Sequence, residues 1–273
     1  MRRALLFVLA LSGPAAAQRL TEGLFLPDGN PAAGEGAAML EANPAGMAFG
    51  APVELAYTFV DSQAEQTGEG HQLALSFGLD PFRAGISLQF LDPTTAGVDD
   101  GPTKVSLGYA LRLSPAFAFG FAWHTFVSDD DPELDEADTW DLGFQLRPSR
   151  WLAAGLSITD LTSPRVGGVI VNRAYVAGLS FRPGTERFTA TGTLTIPETR
   201  DDTPADHREL AFGGLLRWRL FGAIGLQARY ETTEIGGERT HRLMAGLVDV
   251  SAFGLGAFLY SPDLAGDDVG ATP

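Results

Sequence analysis

Between residues 53 and 260, apolar side chains recur at every second position in about thirteen short segments. In Arg83-Ala84-Gly85-Ile86-Ser87-Leu88-Gln89, Ala84, Ile86 and Leu88 fall on one face, and Arg83, Ser87 and Gln89 fall on the other. That is the period of a β-strand with two unlike faces. The segments cover residues 53–60, 71–79, 82–90, 103–113, 117–126, 139–147, 151–160, 174–182, 188–196, 209–217, 223–231, 241–248 and 253–260. Their connections alternate. Asp80-Pro81, Ser114-Pro115, Pro148-Ser149 and Pro183-Gly184 mark tight turns, as do the breaks before Ala223 and around Ser251, and long polar stretches lie between them.

Barrels of bacterial outer membranes sort their connections in this way, short turns at one end and long loops at the other. The faces agree with that arrangement. One reads Leu73, Leu75, Phe77; Val105, Leu107, Tyr109, Leu111; Phe117, Phe119, Phe121; Leu142, Phe144, Leu146; Leu210, Phe212, Leu216. Aromatic residues gather at strand ends: Phe82, Trp151, Phe181, Phe188, Trp218 and Phe221 by the short turns, and Phe90, Phe126, Trp140, Tyr175 and Tyr230 by the long loops. Two such girdles suit the two membrane interfaces. The expected fold is an all-β, antiparallel transmembrane β-barrel over residues 51–260. A soluble all-β exported protein is the competing fold. Single-chain bacterial barrels carry even strand numbers, so thirteen visible strands mean that the chain stops short of a fourteenth, that it continues in a longer protein, or that one of the thirteen segments is not a strand.

The opposite face carries glycines: Gly78, Gly85, Gly108, Gly120, Gly143, Gly155, Gly178, Gly213, Gly225, Gly246 and Gly254. They leave room for a ligand or for the residues before the first strand, or they serve only to curve the sheet. Among them stand the lumen-facing candidates Arg83, Gln89, Lys104, Arg112, Asp141, Gln145, Arg147, Arg217, Gln227 and Arg229. The expected bore is polar with a basic tendency, under acidic outer loops.

Residues 1–17 read as a secretory signal. Arg2 and Arg3 precede an apolar stretch too short to span a membrane, and Ala15-Ala16-Ala17 offers the cleavage site. Nothing later approaches eighteen continuous apolar residues, so only a closed barrel could cross a bilayer. The formal charge of −15 argues against nucleic acid, and the absence of cysteine excludes disulfides and thiolate metal sites. Lys104 is the only lysine, which fits a GC-rich coding sequence.

Residues 18–50 are not strand-like: a helical turn within 35–41 is broken at Asn43-Pro44-Ala45-Gly46. That motif, just ahead of the first strand in a chain with a secretory leader, resembles the start of the FadL/TodX/PorV-type outer-membrane proteins. Ala177-Gly178-Leu179-Ser180-Phe181-Arg182-Pro183 resembles their strand-plus-turn wording. The resemblance implies a fourteen-stranded barrel in a Gram-negative outer membrane, with residues 18–50 as a plug and Asn43, Pro44, Ala45 and Gly46 as plug-region residues. It also implies binding or passage of hydrophobic small molecules such as long-chain fatty acids. A PorV-like barrel that docks secreted or surface proteins is the alternative, as is the barrel part of a longer protein similar to signal-peptide-peptidase-type proteases. Lipid of the outer membrane is the expected surrounding partner, and residues 261–273 form an acidic tail.

Catalytic chemistry is not expected. His71, His124, His207 and His241 lack metal spacing, and Ser157 lacks a nucleophile elbow. No phosphate-cradling loop or dinucleotide fingerprint occurs, so no cofactor is expected. The acids between Asp129 and Asp138 could ligate calcium, but the glycine and spacing of an EF-hand are missing, and a solvated outer loop is the simpler reading.

Overall fold

The structure, a computed structural model, describes residues 21–62 except 22 and 28, 69–92, 101–128, 134–135, 137–166, 169–183, 187–198, 210–221, 224–235, 238–249 and 253–261. The secretory leader expected at residues 1–17, most of the acidic 129–138 loop and residues 262–273 of the expected acidic tail lie outside the described residues.

A four-residue helix, α1 (Met39–Ala42), and a 3-10 turn (Pro44–Phe49) precede the sheet. The helical turn thus falls at the end of the stretch expected for it, against the proline that stops it. The strands are β1 (Val53–Ser62), β2 (Gly70–Phe77), β3 (Phe82–Leu91), β4 (Thr103–Ser114), β5 (Phe117–Val127), β6 (Asp138–Ser149) and β7 (Leu152–Thr159). After them come β8 (Arg165–Val166) and β9 (Val169–Ile170), a two-rung ladder within one long connection where no strand was expected. Then follow β10 (Ala174–Phe181), β11 (Phe188–Pro197), β12 (Leu210–Phe221), β13 (Ile224–Ile235), β14 (Glu238–Asp249) and β15 (Phe253–Ser261).

All but β8 and β9 form one ring in which each strand pairs antiparallel with the next. Registers such as Tyr109 opposite Phe121 and Phe119 opposite Phe144 put apolar side chains side by side on the outer face. Thirteen strands alternating in direction leave first and last pointing the same way. The ring is therefore completed by a parallel pair, with Leu55 opposite Phe253 through to Ser62 opposite Tyr260. The even count expected from bacterial barrels is not needed, because a parallel contact satisfies both free edges.

Outward positions are exposed and apolar on the described strands, including Leu73, Leu107, Tyr109, Leu179 and Leu216. Phe82, Trp151, Phe181, Trp218 and Phe221 stand exposed at the short-turn end, and Phe90, Trp140, Tyr175 and Tyr230 at the other. Phe126 is the exception. Its even position in β5 turns it inward, where it is 1 % exposed and packs with Leu134, Val166 and Val171 beneath the long loops. Proximity to a strand end suggested a girdle residue; parity overrides it.

The core of the molecule is the plug. Leu40, Ala45, Met47 and Ala48 pack on Ala110, Ala118 and Ala122 of the wall, while Phe25 packs on Val60 and Met244. The inner glycines make the space. A Cβ on Gly120 would come 2.6 Å from the Pro44 carbonyl carbon, and one on Gly178 would come 2.9 Å from the Pro31 ring. Gly85, Gly108, Gly143 and Gly155 likewise face Met47, Leu40, Asn43 and Pro31. Gly213 and Gly225 do not face the plug, and Gly78 sits in a turn with φ +156°, so curvature and turn chemistry account for those.

Candidate functional site

The plug runs down the bore, back up and down again. Thr21 lies at the long-loop end, residues 34–36 reach the short-turn end, α1 climbs to Glu41, and the 3-10 turn descends to β1. Asn43 fixes the fold-back. Its Nδ2 donates to the Pro31 carbonyl at 2.7 Å and to the Phe144 carbonyl of the wall at 3.0 Å, while its Oδ1 accepts from the Ala45 amide at 3.1 Å. One buried amide thus caps the 3-10 turn, ties two plug limbs together and joins them to β6. Pro44 and Ala45 press on Gly120, and the Gly46 amide donates to the Asn43 carbonyl.

Two charged clusters hold the long-loop end of the plug. On one side Lys104 Nζ lies 3.0 Å from Glu41 Oε2 and donates to the Thr21 carbonyl at 3.0 Å. His124 lies between Glu41 and Asp141, 3.7 Å and 3.2 Å away, with Ser106 Oγ at 2.7 Å from Nδ1. The Asp160 amide donates to Asp141, and Thr21 Oγ1 donates to Asp160. Burial pushes the Glu41 carboxyl up, but the charges of Lys104 and His124 more than offset this and hold it near 2. On the other side the Phe25 ring lies between two guanidiniums, with Arg229 at 4.0 Å and Arg242 at 4.7 Å from its centroid. Both arginines pair with Glu231, Arg229 at 2.9 Å. Arg229 also donates to the Leu26 carbonyl.

Thr21 and residues 23–26 therefore form a strap across the bore, anchored at both walls and bonded midway, where Gln89 Oε1 accepts from the Leu24 amide at 2.9 Å. It forms one side of a chamber of about 110 Å³. Its lining combines Leu24, Leu26, Val176 and Ala211 with the hydroxyls of Thr193, Thr195 and Thr233 and the two charged clusters.

All ten lumen candidates sit on the inner face, but not in one place. Gln89, Lys104, Asp141 and Arg229 belong to the long-loop end. Gln145 is buried in the middle, donating to the carbonyls of Ala32 and Gly34. Gln227 is buried and accepts from Arg217 at 2.7 Å. Arg83, Arg112 and Arg147 stand at the short-turn end; Arg112 pairs with Asp80 at 2.6 Å and Arg147 with Glu35 at 2.7 Å. Glu41, His124, Glu231 and Arg242 were not among the candidates. The inward parity of His124, Glu231 and Arg242 was readable from their strands, whereas the place of Glu41 depends on how a non-strand segment threads the bore. Among the described residues no group of His, Asp and Glu is arranged to hold a metal.

A plugged, apolar-skinned barrel of this kind is the fold of outer-membrane channels. No family description matches the sequence, and no curated protein does. Among solved structures the chain is similar to the CymD monoaromatic hydrocarbon channel, with TM-score 0.53 and 11 % identity over 81 % of this chain and 85 % of that one. It is similar also to the Pseudomonas putida toluene transporter TodX, with TM-score 0.52 and 12 % identity over 78 % and 84 %. At these identities the likeness is one of fold.

Proposed function

We propose that this protein is an outer-membrane channel, closed by its own N-terminal plug, that admits small hydrophobic molecules to the chamber bordered by the strap. The exposed apolar belt between two aromatic girdles supports residence in the membrane. The chamber carries the rest of the reading. Its aliphatic side chains suit an apolar body, and its threonines suit one polar group. At about 110 Å³ it is smaller than the roughly 150 Å³ that holds a benzene ring. A fatty acid or an aromatic hydrocarbon therefore requires the strap to move, which makes this the closed form. The test uses cells expressing the protein and labelled toluene or oleate. Deletion should lower uptake, and crosslinking Phe25→Cys to Met244→Cys should lower it as far, reversibly on reduction. The absence of native cysteine makes the second arm clean. Uptake indifferent to both deletion and crosslink would refute the channel.

One observation favours a second reading. The strap is held on both walls by buried cations, Lys104 donating to the Thr21 carbonyl and Arg229 to the Leu26 carbonyl, as suits a bore that stays shut. A barrel of that kind would dock secreted or surface proteins through its long loops, the PorV-like alternative. Unchanged uptake, together with a specific protein recovered by crosslinking at those loops, would favour it.

A further inference from the structure

The formal charge of −15 conceals a separation of charge along the barrel. At the short-turn end the last inward positions of β3, β4, β6 and β12 are arginines, Arg83, Arg112, Arg147, and Arg217 with Arg219, and Arg182 follows directly on β10. They lie at one level. The amides of Arg112, Arg147, Arg182 and Arg219 donate in turn to the carbonyls of Pro81, Ala116, Trp151 and Arg187, all in or beside the short turns. Arg150 and Arg187 add two exposed guanidinium groups in those turns, Arg150 lying over the Trp151 ring. Among the described side chains Asp80, Glu35 and Glu54 bring carboxylates to this end, Glu54 turned onto the Ala37 amide, and in sequence Glu186 and Asp249 add two more at short turns. Arg83 is 7 % exposed, donates only to the Phe82 carbonyl next to it, and leaves Nε without a hydrogen-bond partner. A buried guanidinium held this way is costly unless an acceptor reaches it. The long connections at the other end carry most of the acids, including the run from Asp129 to Asp138.

We infer that the short-turn mouth is a docking surface for an acidic polypeptide segment of a partner on that side of the membrane. Guanidinium groups pair with carboxylates in a bidentate fork. Here they are spread round the mouth from β3 to β12, so one small anion could engage only one or two of them. An extended segment carrying several carboxylates can engage the rim groups Arg112, Arg150 and Arg187 together, Arg112 exchanging its exposed Asp80 partner. The inner-facing arginines are shielded by the wall from lipid headgroups. Each contact at an exposed rim is weak; several together give a salt-sensitive association that depends on charge complementarity. This inference stands apart from the channel reading, since docking does not require the strap to move.

The test is fluorescence anisotropy of a labelled peptide of about ten glutamates against the full-length protein in neutral detergent. Binding at low ionic strength that weakens steeply with salt is expected. The triple variant Arg112→Gln, Arg150→Gln, Arg187→Gln should weaken it at least tenfold, while Arg165→Gln, which removes a charge at the long-loop end, should not. Heat-modifiable gel mobility verifies that each variant is folded. No binding at low salt, equal loss in Arg165→Gln, or undiminished binding in the triple variant would overturn the inference. Dextran sulfate binding in place of the peptide would do so as well, in favour of an acidic polysaccharide.

Discussion

Lys104 on the barrel wall and Glu41 on the plug form an ion pair 3.0 Å apart, each side chain 5 % exposed or less. Removing one partner of a buried pair strands the other charge and typically costs about 3–5 kcal/mol. Glu41→Gln and Lys104→Met should each free the plug to protease attack at its long-loop end. The paired change Glu41→Leu with Lys104→Met should restore part of the protection, because the Glu41 carboxylate and its cation leave together while Asp141 keeps His124. Limited proteolysis of the four proteins in detergent measures both effects.

The same carboxyl sets a pH window. Its ordinary value of 4.5 falls to about 2 in the folded protein. A depressed folded value means the stabilisation is complete above 4.5 and is lost as pH falls toward 2. Hydrogen exchange of residues 39–42, taken relative to the intrinsic amide rate at each pH, should stay slow at pH 5 and above and quicken below about pH 4. In Glu41→Gln that acid-dependent increase should be absent. A plug already loose at pH 6 in the parent protein would contradict the assignment.

Gly120→Val should displace the plug, since its first carbon already meets the Pro44 carbonyl carbon at 2.6 Å. Overpacking of this kind costs about 1–3 kcal/mol or more. Gly192→Ala serves as the contrast, because nothing lies within 4 Å of its Cβ position. Heat-modifiable mobility should persist in both, whereas protease protection of the plug should fail only in Gly120→Val.

Phe25→Leu keeps an apolar side chain against Val60 and Met244 but removes the ring between Arg229 and Arg242. Each cation–π contact is worth about 0.5–2 kcal/mol when desolvated. The strap should open more readily, and uptake of labelled toluene should rise rather than fall. A decrease in uptake would mean that the ring serves the ligand and not the closure.

Asn43→Ala removes the donor to Pro31 and Phe144 and the cap on Ala45 together. Leaving buried carbonyls unmatched costs about 1–3 kcal/mol. The plug should loosen at its middle while the barrel keeps its gel mobility.

Much of the wall was legible in the sequence. Alternation has a period of two and admits no half-measures, so once Phe119 is placed outward, Gly120 and Arg112 must face in. The same rule, strictly applied, would have put Phe126 inside. The closure was not legible, because nothing in the residues of β1 or β15 distinguishes a parallel neighbour from an antiparallel one. The plug was legible only in part. Asn43-Pro44-Ala45-Gly46 marked it, yet the partners of Asn43 are carbonyls of Pro31 and Phe144, and backbone acceptors leave no trace in residue type. Glu41 was missed for a related reason. Its neighbours Lys104 and His124 come from strands, and no periodicity relates a strand to an irregular segment threaded past it.

The parallel contact between β1 and β15 carries a consequence for assembly. Every other contact in the ring joins strands that are neighbours in sequence or separated by a single connection, and such contacts form early. Leu55 and Phe253, by contrast, are separated by roughly two hundred positions. Loop-closure entropy places their meeting last. With the residues before β1 lying inside the curl of the sheet when its edges join, closure of the ring would be the step that captures the plug.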